Sequence, residues 1–168
     1  NNLGESLIRI GRYEEALQSA EMTLRIRPNH PAALNNRATV LRFLGRYEEA
    51  LQSLDTALAI ETAYPEALSN RAAVLSYLGR YEEAAGLYLR SLALRPGEVP
   101  ILYGLAKCRI ELGDLPGAEL LLRQLLRLDP SNLPALNNLG VVAARQGRYD
   151  EAIAAWQRVL AADPGFQR

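Results

Sequence analysis

The chain has 168 residues, of which 19 are basic and 19 are acidic, so its formal net charge at neutral pH is zero. A balanced charge argues against a dedicated binder of nucleic acid or of anionic membranes, because either would need a strongly basic surface. The single cysteine, Cys108, excludes a disulfide scaffold, and no run approaches the roughly 18 apolar residues of a transmembrane helix.

One short segment recurs along the chain at a fixed interval. It reads Gly-Arg-Tyr-Glu-Glu-Ala in its commonest form, and its glycine returns every 34 residues, at Gly11, Gly45, Gly79, Gly113 and Gly147. In the last copy Asp150 replaces the first glutamate, and the fourth copy is altered to Gly-Asp-Leu-Pro-Gly-Ala. A period of this size indicates a stacked array of one helical unit, copied five times.

Each repeat is predicted to contain two amphipathic helices, one before and one after the glycine. Apolar residues recur at i, i+3, i+4 and i+7, as in Tyr47, Leu51, Leu54 and Leu58. The glycine ends the first helix, where a left-handed residue is tolerated. The second helices are predicted to stop near Pro28, Pro96, Pro130 and Pro164, and the first helices to open near Pro31, Pro65, Pro100 and Pro134. Ten helices and no β-strand are expected.

Small residues recur where the helices must approach closely. They are Ala16, Ala50, Ala84, Ala118 and Ala152 in the second helices, and Gly4, Ala38, Ala72, Ala106 and Gly140 in the first. A larger side chain at these positions would overpack the helix crossing.

A 34-residue helix–turn–helix with small residues at fixed places, a tyrosine two residues after the glycine and a terminal proline resembles the tetratricopeptide repeat. The resemblance covers essentially the whole chain. It implies an all-α fold, a right-handed superhelical α-solenoid of antiparallel helix pairs with a concave groove lined by the first helices. The predicted repeats are 1–30, truncated at its N-terminus, then 31–64, 65–98, 99–132 and 133–168.

Repeat four departs most from this pattern. Leu115 replaces the tyrosine, Pro116 and Gly117 replace the acidic pair, and Arg109 stands where an apolar residue is usual. These departures fall at the predicted start of its second helix and affect the local packing there.

The resemblance also implies which residues face the groove, namely those 10, 9, 6, 3 and 2 residues before each glycine. The candidate peptide-binding residues taken from these positions are Asn2, Asn35, Asn36, Thr39, Arg42, Phe43, Asn70, Tyr77, Tyr103, Lys107, Asn137, Asn138 and Arg145.

Four asparagines fall at one equivalent position, so that stacking the repeats would make a ladder of carboxamides: Asn2, Asn36, Asn70 and Asn138. A carboxamide both donates and accepts hydrogen bonds, which suits a peptide backbone. A similar ladder is known in the superhelix of O-linked N-acetylglucosamine transferases. The alternative is that these asparagines solvate the groove or bond across helices, and the sequence leaves both open.

Aromatic residues at the groove positions, Phe43, Tyr77 and Tyr103, would provide apolar area for ligand side chains. The alternative is that they pack on neighbouring helices. The groove charges lean toward acidic or C-terminal ligands, with Arg9, Arg42, Lys107 and Arg145 against Glu5 and Glu111.

Two further interpretations concern charged positions. The carboxylate clamp of chaperone-binding repeat proteins is rejected, because its basic positions hold Asn1 or Asn35, and then Glu66 with Asn70. Arg37 and Arg71 replace leucine at the edge of the core, and their heads are expected to reach acidic groups of the adjoining helix; the alternative is a role in the groove.

The sequence contains no recognisable catalytic or metal-binding motif. His30 is the only histidine, there is no cysteine pair, and no glycine-rich phosphate loop occurs. Acidic pairs such as Glu14 and Glu15 match the dipole at a helix start rather than forming an active site. No cofactor, no metal and no enzymatic activity are therefore expected.

The sequence favours a non-enzymatic protein–protein interaction scaffold that binds an extended peptide or a partner protein in its groove. One alternative is a substrate-recognition segment excised from a larger enzyme, such as an O-linked glycosyltransferase. Another is an array that self-associates end to end, because Ile153, Trp156, Val159 and Leu160 would be partly uncovered on the last helix. No nucleic acid and no membrane insertion are expected. The chain opens with Asn1 inside a repeat and looks like an excerpt from which a targeting segment could have been removed. The compartment therefore stays open, with the cytoplasm favoured.

Overall fold

The structure, a computed structural model, describes residues 6–8 and 10–165. Residues 6–8 are helical, and nine helices follow in the described part of the chain. They are α1 (Tyr13–Ile26), α2 (Pro31–Phe43), α3 (Tyr47–Ile60), α4 (Pro65–Tyr77), α5 (Tyr81–Leu94), α6 (Val99–Glu111), α7 (Leu115–Leu128), α8 (Leu133–Arg145) and α9 (Tyr149–Ala162). The described residues contain no β-strand, and the prediction of an all-α fold built from helix pairs is confirmed.

A glycine with a positive φ angle joins the two helices of each pair. At Gly45, for example, φ is 74°, which L-residues with a side chain adopt only with strain. This conformation lets the N–H of Arg46 donate to the carbonyl oxygen of Leu41 at 2.8 Å. The hydrogen bond satisfies a helix-end carbonyl, as expected of a left-handed C-terminal residue.

Repeat four begins its second helix at the position equivalent to those of the other repeats, by a different means. In repeat two, Arg46 pairs with Glu49 in the first turn at 2.6 Å. In repeat four, Asp114 takes the place of that arginine and caps α7 by accepting from the N–H of Gly117 at 3.0 Å. Asp114 also binds the guanidinium of Arg109 at 2.5 Å. The unusual Arg109 and Gly117 are therefore explained together, since Gly117 leaves room for the Arg109 head.

The chain forms two compact units, Asn1–Leu94 and Arg95–Arg168. In the first unit the core contains Leu34, Leu41 and Leu54, packed with alanines of the neighbouring helices. The predicted close-approach positions that lie in described residues are almost fully buried: Ala16, Ala38, Ala50, Ala72, Ala84, Ala106, Ala118, Ala152 and Gly140. Gly4 lies outside the described residues.

Gly140 shows why the position must be small. A Cβ atom there would lie 2.5 Å from Nε1 of Trp156, so the indole ring of α9 rests directly on the backbone of α8. The ring also donates through Nε1 to the carbonyl oxygen of Asn137 at 3.3 Å.

The two arginines at the edge of the core bind acidic groups of the adjoining helices, as predicted. Arg71 Nε lies 2.6 Å from Oδ1 of Asp55. Arg37 donates to Ser53 Oγ at 2.6 Å and lies 3.7 Å from a carboxylate oxygen of Glu49. Each thus connects a first helix to a second helix.

Candidate functional site

In the first unit, three of the predicted groove residues bind one another across the contact between α2 and α4. Asn70 Nδ2 donates to Asn35 Oδ1 at 2.8 Å and to Thr39 Oγ1 at 3.1 Å. Thr39 in turn donates to the backbone carbonyl oxygen of Asn35 at 3.0 Å. Asn35 is buried, with 7% of its surface exposed. For Asn70, bonding across helices is therefore what the structure shows.

The other asparagines at the position of Asn70 differ from it. Asn36 and Asn138 are partly buried, and neither side chain forms a hydrogen bond with any residue that the structure describes. Asn70 Oδ1 likewise accepts no hydrogen bond within this part of the chain. Asn2 lies outside the described residues. The side-chain amides of Asn36 and Asn138 and the Oδ1 atom of Asn70 are thus unused among the described residues, whereas Nδ2 of Asn70 is hydrogen-bonded to the neighbouring helix.

A series of aromatic rings surrounds Arg42 at the C-terminal ends of α2 and α4. The guanidinium carbon of Arg42 lies 4.3 Å from the centroid of Phe43 and 5.9 Å from that of Tyr77. Phe43 stacks on Tyr13 at 4.9 Å, and Tyr77 stacks on Tyr47 at 5.8 Å. We call Phe43, Arg42 and Tyr77 the Arg42 stack. Its rings pack on neighbouring helices, as the alternative interpretation had it, yet Phe43 remains 47% exposed and Tyr77 63% exposed.

Arg42 has unsatisfied hydrogen-bonding groups in this arrangement. Its Nε atom is buried without a hydrogen-bond partner, and Arg42 forms no ion pair with any residue in the described ranges. The five groove positions of α2 and the five of α4 contain no acidic residue, so Arg42 carries the only formal charge among them. A buried donor without a partner is costly, so the contacts among the described residues do not by themselves account for an arginine at this place.

The sequence interpretation did not include Tyr13 and Tyr47 among the site residues. A signal for them was present, because Phe43 follows Tyr13 by 30 residues and Tyr77 follows Tyr47 by the same interval. An aromatic residue that starts one second helix therefore pairs with an aromatic residue that ends the next first helix. Repeats four and five lack this pairing, since Glu111 and Arg145 occupy the corresponding places.

In the second unit, the predicted groove residues make separate contacts. Lys107 Nζ lies 6.0 Å from the ring centroid of Tyr103, close enough for a weak cation–π interaction. Arg145 donates through Nη1 to the carbonyl oxygen of Ile110 at 3.2 Å, near the C-terminal end of α6. A cation is favourable at that end of a helix, so Arg145 links α8 to α6.

An open cleft of about 220 Å³ lies along α8, beside Trp156 of α9. It is lined by Asn137, Val141, Ala144, Arg145 and Trp156. Asn137 and Val141 occupy the positions of Asn35 and Thr39 three repeats earlier, which in the first unit contact Asn70 of the next first helix. The cleft therefore corresponds to the surface that another first helix covers in repeat two.

Apolar residues of α9 are likewise exposed where the equivalent residues of repeat two are covered by the following repeat. Tyr149, Ile153 and Leu160 are 67%, 50% and 54% exposed. Their equivalents in repeat two, Tyr47, Leu51 and Leu58, are partly buried against a core that includes Ala67 and Val74 of the following repeat.

The structure contains, within its described ranges, no cluster of three or more His, Cys, Asp or Glu residues that could hold a metal ion. None of the described helices is both long and apolar enough to cross a membrane.

Comparisons with known proteins agree with this architecture. Two family models described as tetratricopeptide repeat match the chain, one over residues 1–63 and 29–96 and the other over residues 70–132 and 103–165. No curated protein sequence matches it.

Several solved structures have a similar fold. TTC0263, a thermophilic tetratricopeptide repeat protein of Thermus thermophilus, is 26% identical with a TM-score of 0.80, over 98% of this chain and 90% of that one. MamA 41-end from Desulfovibrio magneticus RS-1 is 22% identical with a TM-score of 0.84, over 99% and 94% of the two chains. YrrB, described as a tetratricopeptide repeat protein with an unusual peptide-binding site, is 20% identical with a TM-score of 0.78, over 98% and 84%. The family models together span nearly the whole chain, which is therefore a member of the tetratricopeptide repeat family.

Proposed function

We propose that the chain is a non-enzymatic scaffold whose first unit binds an extended peptide, or an extended segment of a partner protein, on the face formed by α2 and α4. The observation that carries this proposal is the exposure of Phe43 and Tyr77 on that face, at 47% and 63%. Aromatic residues and arginine are enriched at protein interfaces and provide much of their binding energy.

The polar groups of the same face support an extended ligand. Asn36 lies seven residues before Phe43, and Asn70 lies seven residues before Tyr77, a spacing that places each pair on one side of its helix. The side chain of Asn36 and the Oδ1 atom of Asn70 have no hydrogen-bond partner among the described residues. They can therefore bind the N–H and C=O groups of a peptide backbone, about two helical turns from the exposed rings.

Two comparisons add support to this proposal. Tetratricopeptide repeat proteins are generally interaction scaffolds, and YrrB, which has a similar fold, is described as having a peptide-binding site. The remaining groove candidates in the second unit, Tyr103, Lys107, Asn137, Asn138 and Arg145, are proposed as contacts for the same kind of ligand.

An array of immobilised peptides, probed with the chain, tests the proposal. Tyr77→Ser should weaken binding about tenfold, because a truncated interface aromatic residue typically costs more than 1 kcal/mol. Leu89→Ser is the matched control, since Leu89 is 48% exposed on the second helix α5. Equal binding by the Tyr77→Ser variant and the parent chain would contradict a role for this face.

A second candidate function is end-to-end self-association, in which a second copy covers the open end of the last helix pair. Tyr149, Ile153 and Leu160 are exposed there, whereas their repeat-two equivalents are covered by the next repeat. Exposed contiguous apolar surface of this kind favours association. In sequence position, Asn2 of the second copy corresponds to Asn70, the residue that contacts the equivalent surface of repeat two.

Sedimentation velocity over a range of concentrations tests the second candidate. The average mass of the parent chain should rise with concentration, and Ile153→Arg should abolish the rise. Leu120→Arg is the control, because Leu120 is 65% exposed on α7 and not on the last helix. A strictly monomeric parent chain at high concentration would rule out self-association.

A further inference from the structure

We propose that the Arg42 stack is a carboxylate-binding subsite, which receives either the C-terminal carboxylate of a peptide or the side chain of an aspartate or glutamate. The inference rests on the proposed function, and it adds the chemical class of the ligand and the group that recognises it.

The two rings hold the Arg42 guanidinium in place before any ligand arrives. Its central carbon lies 4.3 Å from the Phe43 centroid and 5.9 Å from the Tyr77 centroid, and each ring is in turn stacked on a tyrosine of the preceding second helix. Arginine gives up considerable rotamer freedom when it is fixed in one geometry. Because that freedom is already restricted, less of the binding energy is lost on ordering the side chain.

The donors of Arg42 that remain accessible are its two terminal nitrogens. Among the described residues the buried Nε atom has no partner, and no described residue forms a hydrogen bond or an ion pair with either terminal nitrogen. Two adjacent terminal N–H groups match the two oxygens of a carboxylate, and such fork-to-fork pairs are among the stronger hydrogen-bonded contacts in proteins.

The charge of the surrounding face also favours a carboxylate. Arg42 is the only charged residue at the ten groove positions of α2 and α4, and it has no acidic partner in the described part of the chain. A carboxylate carries one negative charge and neutralises Arg42 completely. A phosphate group carries nearly two at neutral pH, and the uncompensated charge would face this otherwise neutral surface.

The rings define what should lie next to the carboxylate. Phe43 and Tyr77, the two rings that contact the Arg42 guanidinium, keep about half or more of their surface exposed. A ligand with an apolar or aromatic side chain adjacent to its carboxylate would cover these rings and reduce the access of water to the ion pair. Lower water access strengthens the electrostatic contact.

Fluorescence polarisation with four pools of labelled heptapeptides tests the inference. One pool has a free C-terminal carboxylate, and its partner has the same sequences with a C-terminal amide. The other two pools are amidated and differ only in glutamate against glutamine at one internal position. We expect one acidic pool to bind at least tenfold more tightly than its neutral partner, and which one does so identifies the source of the carboxylate.

Variants of the chain connect that preference to Arg42. Arg42→Gln should abolish the preference of the acidic pool, and Arg42→Lys should retain part of it, because lysine keeps the charge without the fork. Arg90→Gln is the matched control: it removes one positive charge from an exposed arginine on the second helix α5 and should leave the preference intact.

The outcomes separate this inference from the proposed function. If peptides bind the parent chain with no preference for the acidic pools, or if the preference survives in Arg42→Gln, the carboxylate subsite is wrong and the peptide-binding face stands. If no pool binds, both fail. Inorganic phosphate that displaces the peptides at lower concentration than acetate would overturn the assignment to a carboxylate.

Discussion

Asn70 donates its side-chain Nδ2 to Oδ1 of Asn35, 2.8 Å away on the neighbouring first helix. Asn35 is 7% exposed, so little water can replace that donor if it is removed. The residue that the repeat pattern assigns to ligand binding thus also holds α2 and α4 together. Two roles for one carboxamide are compatible, because Oδ1 of Asn70 remains available on the same group.

We expect Asn70→Ala to lower the free energy of unfolding by about 1–2 kcal/mol, since it leaves a buried acceptor without its donor. Asn138→Ala should change stability by no more than about 0.5 kcal/mol, because the Asn138 side chain has no hydrogen-bond partner among the described residues. Both positions are equivalent in the repeat, so the difference in helix propensity between asparagine and alanine cancels. Urea denaturation followed by circular dichroism measures both variants, and equal losses would contradict a structural role for Asn70.

Two helical glycines should respond in opposite directions to the same substitution. Gly140→Ala should destabilise the chain by about 1–3 kcal/mol, because the new Cβ would lie 2.5 Å from Nε1 of Trp156. Gly86→Ala should stabilise it by about 0.5–1 kcal/mol, because Gly86 lies within α5 with open space where a Cβ would be. Thermal melting curves distinguish the two, and a stabilising Gly140→Ala would show that the indole does not rest on this backbone.

In repeat four, the residues that the other repeats have at positions 109, 114 and 117 should be tolerated only when all three are introduced together. Gly117→Glu alone should cost about 0.5–2 kcal/mol, because its Cβ would displace the Arg109 guanidinium and the Asp114 carboxylate and so remove the Asp114 cap on the N–H of residue 117. Adding Arg109→Leu and Asp114→Arg recreates the pattern of Leu41, Arg46 and Glu49, in which the arginine and glutamate pair at 2.6 Å.

The triple variant should recover most of the stability that Gly117→Glu loses, and melting temperatures of the two compared with the parent chain measure this. If the triple variant is no more stable than Gly117→Glu, the Arg109–Asp114 pair of repeat four cannot be replaced by the arginine–glutamate pair of repeat two.

The stability of the second unit should fall in acid through Glu119. Burial raises the pKa of Glu119, but hydrogen bonds from Arg123 and Arg148 lower it by more, so the pKa lies below its usual value of 4.5. A carboxyl group whose pKa is lowered on folding stabilises the folded state above its unfolded pKa. That contribution is lost as the pH falls through the lower, folded pKa.

Glu119→Gln should therefore lower the melting temperature at neutral pH, by an amount that corresponds to about 1 kcal/mol. The gap between the variant and the parent chain should shrink as the pH falls below about 4.5 and carboxyl groups become protonated. Melting curves at a series of pH values measure the gap, and a gap independent of pH would show that Glu119 does not contribute through its charge.

The helices could be predicted from the sequence because their signals are local. The glycine at position 45, the proline at position 31 and the apolar spacing after Tyr47 each act within one or two turns of a helix. Burial of small residues such as Ala50 and Ala84 also followed from the repeat, since the same crossing recurs in every copy.

The roles of the groove residues could be predicted only in part. Asn35 and Asn36 are adjacent, and about 100° of rotation around the helix separates their side chains. Whether a residue there contacts the next first helix or a ligand depends on how α2 and α4 cross, which no local pattern specifies. One sequence signal did exist: repeat two alone has an asparagine and a threonine four residues apart at these positions, Asn35 and Thr39, facing an asparagine of the next repeat.

Within each unit, the described helices pack on helices that lie one or two places away along the chain. Contacts between segments so close in sequence require little loop-closure entropy, so they form quickly. A chain emerging from the ribosome can therefore bury α2 against α3, and then α4 against both, without waiting for its later residues to be synthesised.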